Sequence, residues 1–258
     1  MNSAVRIWAI AMNTLREAVR NRLLYALLFF AILLIGAGVI LSALSYVESE
    51  RILQDFGFAA IRLFSVAIAI FVGVSLIHRE VERRTVYTIL SKPISRAEFL
   101  LGKYVGLVVT IWMQMAIMVA AFSLVSVATG APLNAGHAVA FILTAVELAV
   151  IVAVATLFSA FTTPMLASFF SVGIWMVGHM SRDLRDIGAS STSEPLQNAT
   201  ALFHRVVPDL ESFNFSVEAA HGLAFGTSDV LLPLAYGIGY IAILLVSAIG
   251  LFERRDLR

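Results

Sequence analysis

Residues 138–161 read AVAFILTAVELAVIVAVATLFSAF, a run in which Glu147 is the lone charged side chain. At about 1.5 Å of rise per residue, a helix of that length crosses the roughly 30 Å hydrocarbon core of a bilayer. The apolar residues follow one another without period-two alternation, and the run is too long and continuous for a barrel strand. In lipid every backbone amide must pair within the protein, because each unpaired group costs several kcal/mol there. The run is therefore read as a membrane-spanning helix.

The same reading extends outward from it. Of the 258 residues 60% are hydrophobic and 14% charged, with a mean hydropathy of +0.91. Soluble domains carry roughly 25% charged residues to hydrate their surface. Further apolar runs cover 23–44, 56–77, 104–128, 165–180 and 230–252. The fold class expected is an all-α integral membrane protein with six transmembrane helices, folded as a single domain. The run 165–180 is the shortest, and only just reaches across. A net charge of +1 gives no pull toward nucleic acid or an acidic partner, and the absence of cysteine excludes disulfides and thiolate chemistry.

Residues 2–22 are different. Val5, Trp8, Met12, Leu15 and Val19 recur at helical spacing, with Arg6, Asn13, Glu17 and Arg20 away from that face. This pattern predicts an amphipathic helix lying in the membrane interface. Lys and Arg set the orientation. Four arginines precede the first span, six basic residues lie between the second and third, and three close the chain. With six spans these 13 fall on one side, against Arg51, Arg182, Arg185 and Arg205 on the other, with Arg62 just inside a span. Both termini are expected to be cytoplasmic, with 78–104 a cytoplasmic loop and 181–229 an external one. The external loop holds a candidate helix over about 196–206.

The loop 78–104 is dense in charge. Residues 79–90 can extend the second span, with Glu80 and Arg84 spaced for an i,i+4 pair. Pro93 breaks that helix, and Ser95 with Glu98 three residues on forms a capping box that starts another. Either the product projects as an elbow toward a partner, or it is a solvated loop whose charges only enforce topology.

The run Arg79-Glu80-Val81-Glu82-Arg83-Arg84-Thr85, with Leu90-Ser91-Lys92-Pro93-Ile94-Ser95-Arg96 and Leu101-Gly102-Lys103, resembles the permease subunits of ABC-2 type transporters. The N-terminal Asn13-Thr14-Leu15-Arg16-Glu17-Ala18 and the closing Leu251-Phe252-Glu253-Arg254-Arg255-Asp256-Leu257 resemble that family's usual beginning and end. The resemblance implies that the loop bears a coupling helix docking on a separate ATPase. Its interface would draw on Glu80, Glu82, Arg83, Arg84, Thr85, Lys92, Pro93, Ser95, Arg96 and Glu98. The turn at 159–164 would make a smaller second contact. It also implies a dimer, homo- or heterodimeric, over two ATPase subunits in a bacterial inner membrane. ATP and Mg would then sit on the partner, and no cofactor on this chain. A P-loop ending at Lys103 would need a glycine at Ala97 and a Ser or Thr at Tyr104, so this chain is read as no enzyme.

Inside the spans, a lone carboxylate such as Glu147 is functional or paired by default. Counted from the outer edge, Glu147 lies roughly 13 Å deep and Arg62 roughly 9 Å. An Arg62–Glu147 ion pair joining the second and fourth spans is expected; a proton relay would need further groups in a chain. Met113, Met115, Met118, Met176, His179 and Met180 suit soft copper, but methionine as adaptable packing is the preferred reading. The function expected is the membrane half of an ATP-driven exporter of a hydrophobic or amphiphilic substrate. The alternatives are an ion-coupled secondary transporter and a non-transporting anchor for an ATPase.

Overall fold

The computed structural model describes residues 2–44, 48–82, 95–131, 133–191, 193–195, 197–198, 200 and 207–254. Among the described residues there are nine α-helices, one 3-10 turn and no strand. The helices are α1 (Ser3–Val19), α2 (Arg22–Ser42), α3 (Ser49–Glu82), α4 (Arg96–Ala128), α5 (Ala135–Phe161) and α6 (Pro164–His179). After α7 (Ser181–Ser190) comes the turn Leu210–Phe213, then α8 (Ser216–His221) and α9 (Thr227–Arg254). Most of the candidate helix over 196–206 lies outside the described residues.

Five helices, α2, α3, α4, α5 and α9, are long and apolar enough to cross a membrane, whereas α6 has 16 residues and is shorter. Their ends follow local chemistry. The Asn21 side chain accepts from the Leu23 amide at 3.1 Å to open α2. Pro164 takes the first position of α6, where a missing N–H costs nothing. The capping box expected at Ser95 is present: its Oγ accepts from the Glu98 amide at 3.1 Å, and the Ser95 amide donates to Glu98 Oε2 at 3.0 Å.

Helix α5 is the hub, with contacts to α3, α4, α6, α8, α9 and the 3-10 turn. Lipid is as apolar as leucine, so helix association inside it rests on close packing and interhelical hydrogen bonds rather than on exclusion of water. Tyr104 Oη donates to the Ala149 carbonyl at 3.3 Å, and Trp112 Nε1 to the Ala145 carbonyl at 2.8 Å, tying α4 to α5. Phe58 of α3 meets Phe122 of α4 and Phe141 of α5. Within the bundle, Thr110, Thr144, Thr156 and Ser171 each bond the carbonyl four residues back, which satisfies their hydroxyls without a neighbour.

Helix α1 packs on the bundle by a face other than its apolar stripe. Val5 and Trp8, on the face the periodicity singles out, are exposed, and the buried residues are Ala11, Thr14 and Ala18. Ala11 and Thr14 pack on α4 at Gly106, and Ile7 and Ile10 at Gly102. A Cβ at Gly102 would lie 2.6 Å from Ile10 Cβ, and one at Gly106 would lie 2.6 Å from the Ala11 carbonyl oxygen. The GxxxG spacing thus brings two backbones together. Ion pairs flank the seam: Arg6 Nη1–Glu98 Oε2 at 3.4 Å and Lys103 Nζ–Glu17 Oε2 at 3.5 Å, with Lys103 buried. At the same end Arg96 Nη1 donates to the carbonyls of Phe252 and Glu253, at 3.1 and 3.0 Å, and Phe99 stacks on Phe252. The start of α4 is braced by α1 on one side and by the end of α9 on the other.

Replacing Gly106 with valine should separate α1 from α4 and cost about 1–3 kcal/mol, the usual range for overpacking. Gly73→Ala is the control, since a Cβ there meets only Leu107 Cδ1, at 3.8 Å. Thermal unfolding of the detergent-solubilised protein should fall for the first variant and hold for the second; equal midpoints would remove the seam from the account.

Candidate functional site

Glu147 lies on the central helix with no solvent exposure of its side chain. A carboxylate buried there must be paired, because desolvation of an isolated charge costs several kcal/mol. The structure brings Arg62 of α3 to it: Nη2 is 3.0 Å and Nε 3.1 Å from Glu147 Oε2. The other oxygen, Oε1, takes His179 Nε2 at 2.9 Å and Trp175 Nε1 at 3.3 Å, both from α6. Each carboxylate oxygen thus meets two nitrogens.

The network continues. His179 Nδ1 is 3.0 Å from Glu211 Oε2 of the 3-10 turn, and Asn214 Nδ2 donates to Glu211 Oε1 at 2.7 Å. Gly178 permits this approach, since a Cβ there would come within 2.7 Å of Leu210 Cδ1 and 2.9 Å of the Pro208 carbonyl oxygen. His179 also closes α6, where the helix dipole favours positive charge. With both ring nitrogens facing carboxylates, the imidazolium satisfies both contacts at once. Two carboxylates, one guanidinium and one imidazolium then sum to zero formal charge, which suits a site with little water. Arg62 Nη2 lies 3.3 Å from the same Nδ1. An unprotonated Nδ1 would accept from Arg62, whereas a protonated one serves Glu211, so one nitrogen stands between two alternative partners.

Sequence reasoning placed Arg62 and Glu147 together and left out His179, Glu211, Trp175 and Asn214 as members of one site. The rule that singles out Glu147 also singles out His179, the ionisable residue of the run 165–180. Glu211 carries no comparable signal, because in a polar segment a carboxylate is unremarkable. The methionines do not converge: Met115 and Met118 are buried, with Met118 Sδ accepting from Ser65 Oγ at 3.7 Å, while Met113, Met176 and Met180 are exposed. No group of three or more His, Asp or Glu among the described residues could hold a metal ion. Of the residues assigned to the coupling interface, Ser95, Arg96 and Glu98 open α4 as above. Glu80 and Glu82 lie in the last turns of α3 with their side chains outside the described set. Arg83, Arg84, Thr85, Lys92 and Pro93 lie outside the described residues altogether.

A cavity of about 310 Å³ adjoins the cluster on the α3 side, walled by Asp55, Phe58, Arg62, Thr144, Trp175 and Phe215 among others. Five membrane-length helices around a cluster of charged groups and a cavity are the architecture of a multi-pass membrane protein. The chain belongs to the ABC-2 transporter family: the family model described as ABC-2 family transporter protein matches residues 8–257. Membership makes it the transmembrane component of an ABC transporter, and such permeases act with an ABC ATPase. No curated protein matches the chain in sequence.

Two outcomes test the site. Glu147→Leu leaves Arg62 facing an apolar core and should cost about 3–5 kcal/mol, while the double variant Arg62→Met/Glu147→Leu should recover part of that. Thermal unfolding reads both, and a double variant no more stable than the single one would refute the pairing.

The second outcome concerns Glu211. Burial pushes its carboxyl up, but hydrogen bonds from His179 and Asn214 and the Arg62 charge outweigh this and hold it below the ordinary 4.5. A depressed value stabilises the fold above the unfolded-state value, and that contribution disappears as pH falls through the folded one. Between about pH 6 and pH 3 the wild type should therefore lose more thermal stability than Glu211→Gln; parallel curves would contradict this.

Proposed function

We propose that the chain is the permease subunit of an ATP-driven exporter of a hydrophobic or amphiphilic substrate. A separate ATPase would drive it through the loop 78–104. In this reading α6 completes a set of six spans, α1 lies at the cytoplasmic interface with Val5 and Trp8 toward lipid, and both termini are cytoplasmic in a bacterial inner membrane. Two permease subunits, identical or different, would sit over two ATPase subunits that hold the ATP and Mg.

The observation that carries this reading is the bracing of α4 at its first turn. Ser95 and Glu98 cap it, Arg6 and Glu17 hold it to α1, and Arg96 holds the last carbonyls of α9. A push delivered just before Ser95 would therefore move three helices together rather than fray one. On the neighbouring helices, the Arg62–Glu147–His179–Glu211 network ties α3, α5 and α6 to the external segment, and α4 packs on α3 and α5. Displacement at one end would be felt there as a change of partners.

A second reading has its own observation. Glu147, His179 and Glu211 form a carboxylate–imidazole–carboxylate chain, the geometry a proton-coupled transporter needs. The two readings separate on one variant. If Glu147→Gln assembles normally yet loses pH-dependent transport, the proton-coupled reading gains; if it fails to assemble, the pair is structural.

The exporter reading is tested by co-expressing this chain with an ABC ATPase and measuring their co-purification. Reversing charge at Glu82 and Arg84 together should abolish co-purification. Arg96→Ala should leave co-purification intact and lower ATP-dependent transport. Unchanged co-purification in the charge-reversed protein would remove the loop as the coupling element.

A further inference from the structure

A second cavity of about 960 Å³ lies on the other side of Asn214 and Phe215, between the 3-10 turn, α8 and the first half of α9. Small-molecule sites typically run from about 300 to 1,000 Å³. Its walls are both polar and apolar. The charged residues that line it are Arg182, Asp209, Glu211, Glu218 and Asp229, and Asp209 stands beside Tyr236, its amide donating to Tyr236 Oη at 3.0 Å. Along α9 the wall continues through Leu232, Tyr236, Tyr240 and Ile243, one helix face that runs about 17 Å.

The charged lining is acidic in effect. One arginine against four carboxylates leaves a formal charge of −3. Arg182 Nε is 2.9 Å from Asp209 Oδ2, so that pair neutralises itself. Glu211 is held by His179 and Asn214, and Asp229 Oδ2 accepts from the Gly226 amide at 2.8 Å. The Glu218 carboxylate has no hydrogen bond or ion pair with any described residue, and it faces the cavity. On α9, Tyr236 and Tyr240 lie with ring centroids 5.7 Å apart, and aromatic faces attract cations as well as apolar chains. Pro233 on the same wall lacks the N–H that would bond the Asp229 carbonyl, which adds a further acceptor near the rim. Anions would meet net negative charge here. A wholly apolar molecule would leave the carboxylates facing it unpaired.

We propose that this cavity binds an amphiphile with a single cationic head, the head beside Glu218 and Glu211 and the apolar chain along the Tyr236–Tyr240 face of α9. As a substrate site it rests on the transport reading above; as a binding site it does not. The cavity and the buried network share Glu211, so a cation at the rim competes with His179 for that carboxylate and reports occupancy to Glu147 and Arg62. The α9 window that could span the membrane is only 6% buried, which leaves the long wall of the cavity reachable from the bilayer.

The experiment uses the full chain in phosphatidylcholine nanodiscs with radiolabelled dodecyltrimethylammonium as probe. Saturable binding is expected, displaced by unlabelled probe and not by dodecyl sulfate or dodecyl maltoside at the same concentration. Glu218→Gln should raise Kd about tenfold. Leu232→Trp, at a position 69% exposed and so no burden on folding, should block the cavity and lower binding similarly. Discs containing phosphatidylethanolamine separate the sources of the head: displacement of the probe identifies an amine-headed lipid, and undiminished binding identifies a free cationic amphiphile. Equal displacement by dodecyl sulfate, or a Kd unchanged in both variants, overturns the proposal. Because no ATPase is present, binding without ATP-driven transport in the complete complex would sink the transport reading and leave the site standing.

Discussion

A charge placed where there is no water must be matched by the protein, and in this chain that condition falls on Glu147. Its helix is the hub of the bundle, so groups that neutralise it have to come from the helices around it. Arg62 arrives from α3, Trp175 and His179 from α6, and the remaining nitrogen of His179 carries the demand on to Glu211 outside the spans. One buried carboxylate thereby fixes the relative position of three helices and of the 3-10 turn. Apolar packing alone would do this poorly, since in lipid one apolar face is nearly as good as another. The network supplies specificity, whatever its net contribution to stability.

The other end of the bundle is held by different means. Two glycines on α4 allow α1 to approach to backbone contact, ion pairs flank the seam, and one arginine closes the end of α9. These contacts join segments far apart in the chain into one unit next to the charged loop. The bundle thus has a rigid end, where force from a partner could enter, and a polar end, where hydrogen bonds can exchange partners.

Much of the fold was legible in the chain because the bilayer imposes it. Membrane-length apolar runs must be helices, and the helix boundaries fall within a few residues of those runs, with α3 and α4 extended at their polar ends. The capping box at Ser95 and Glu98 was legible because it is a local interaction across three residues. The amphipathic pattern of α1 was legible too, but not the face that packs on α4. Periodicity marked the face carrying Val5 and Trp8, whereas the packed face is the one whose small residues, Ala11 and Thr14, contribute little to hydrophobicity and much to close approach. The fifth run was ambiguous in sequence for a physical reason that persists in the structure, since 16 residues give a helix shorter than the other spans.

The sequence by itself determined that this is a helical membrane protein, that it carries no nucleotide loop ending at Lys103, and that Glu147 needs a partner, because length, composition and desolvation act residue by residue. Tertiary structure decided who the partners are. His179 and Glu211 are 32 residues apart, and Glu147 and Arg62 are 85 apart; only folding brings the four together, and no local rule ranks one polar-loop carboxylate above another. The cavity along α9 is likewise a property of the assembled walls, since Glu218 and Tyr240 line one space only when α8 and α9 face each other.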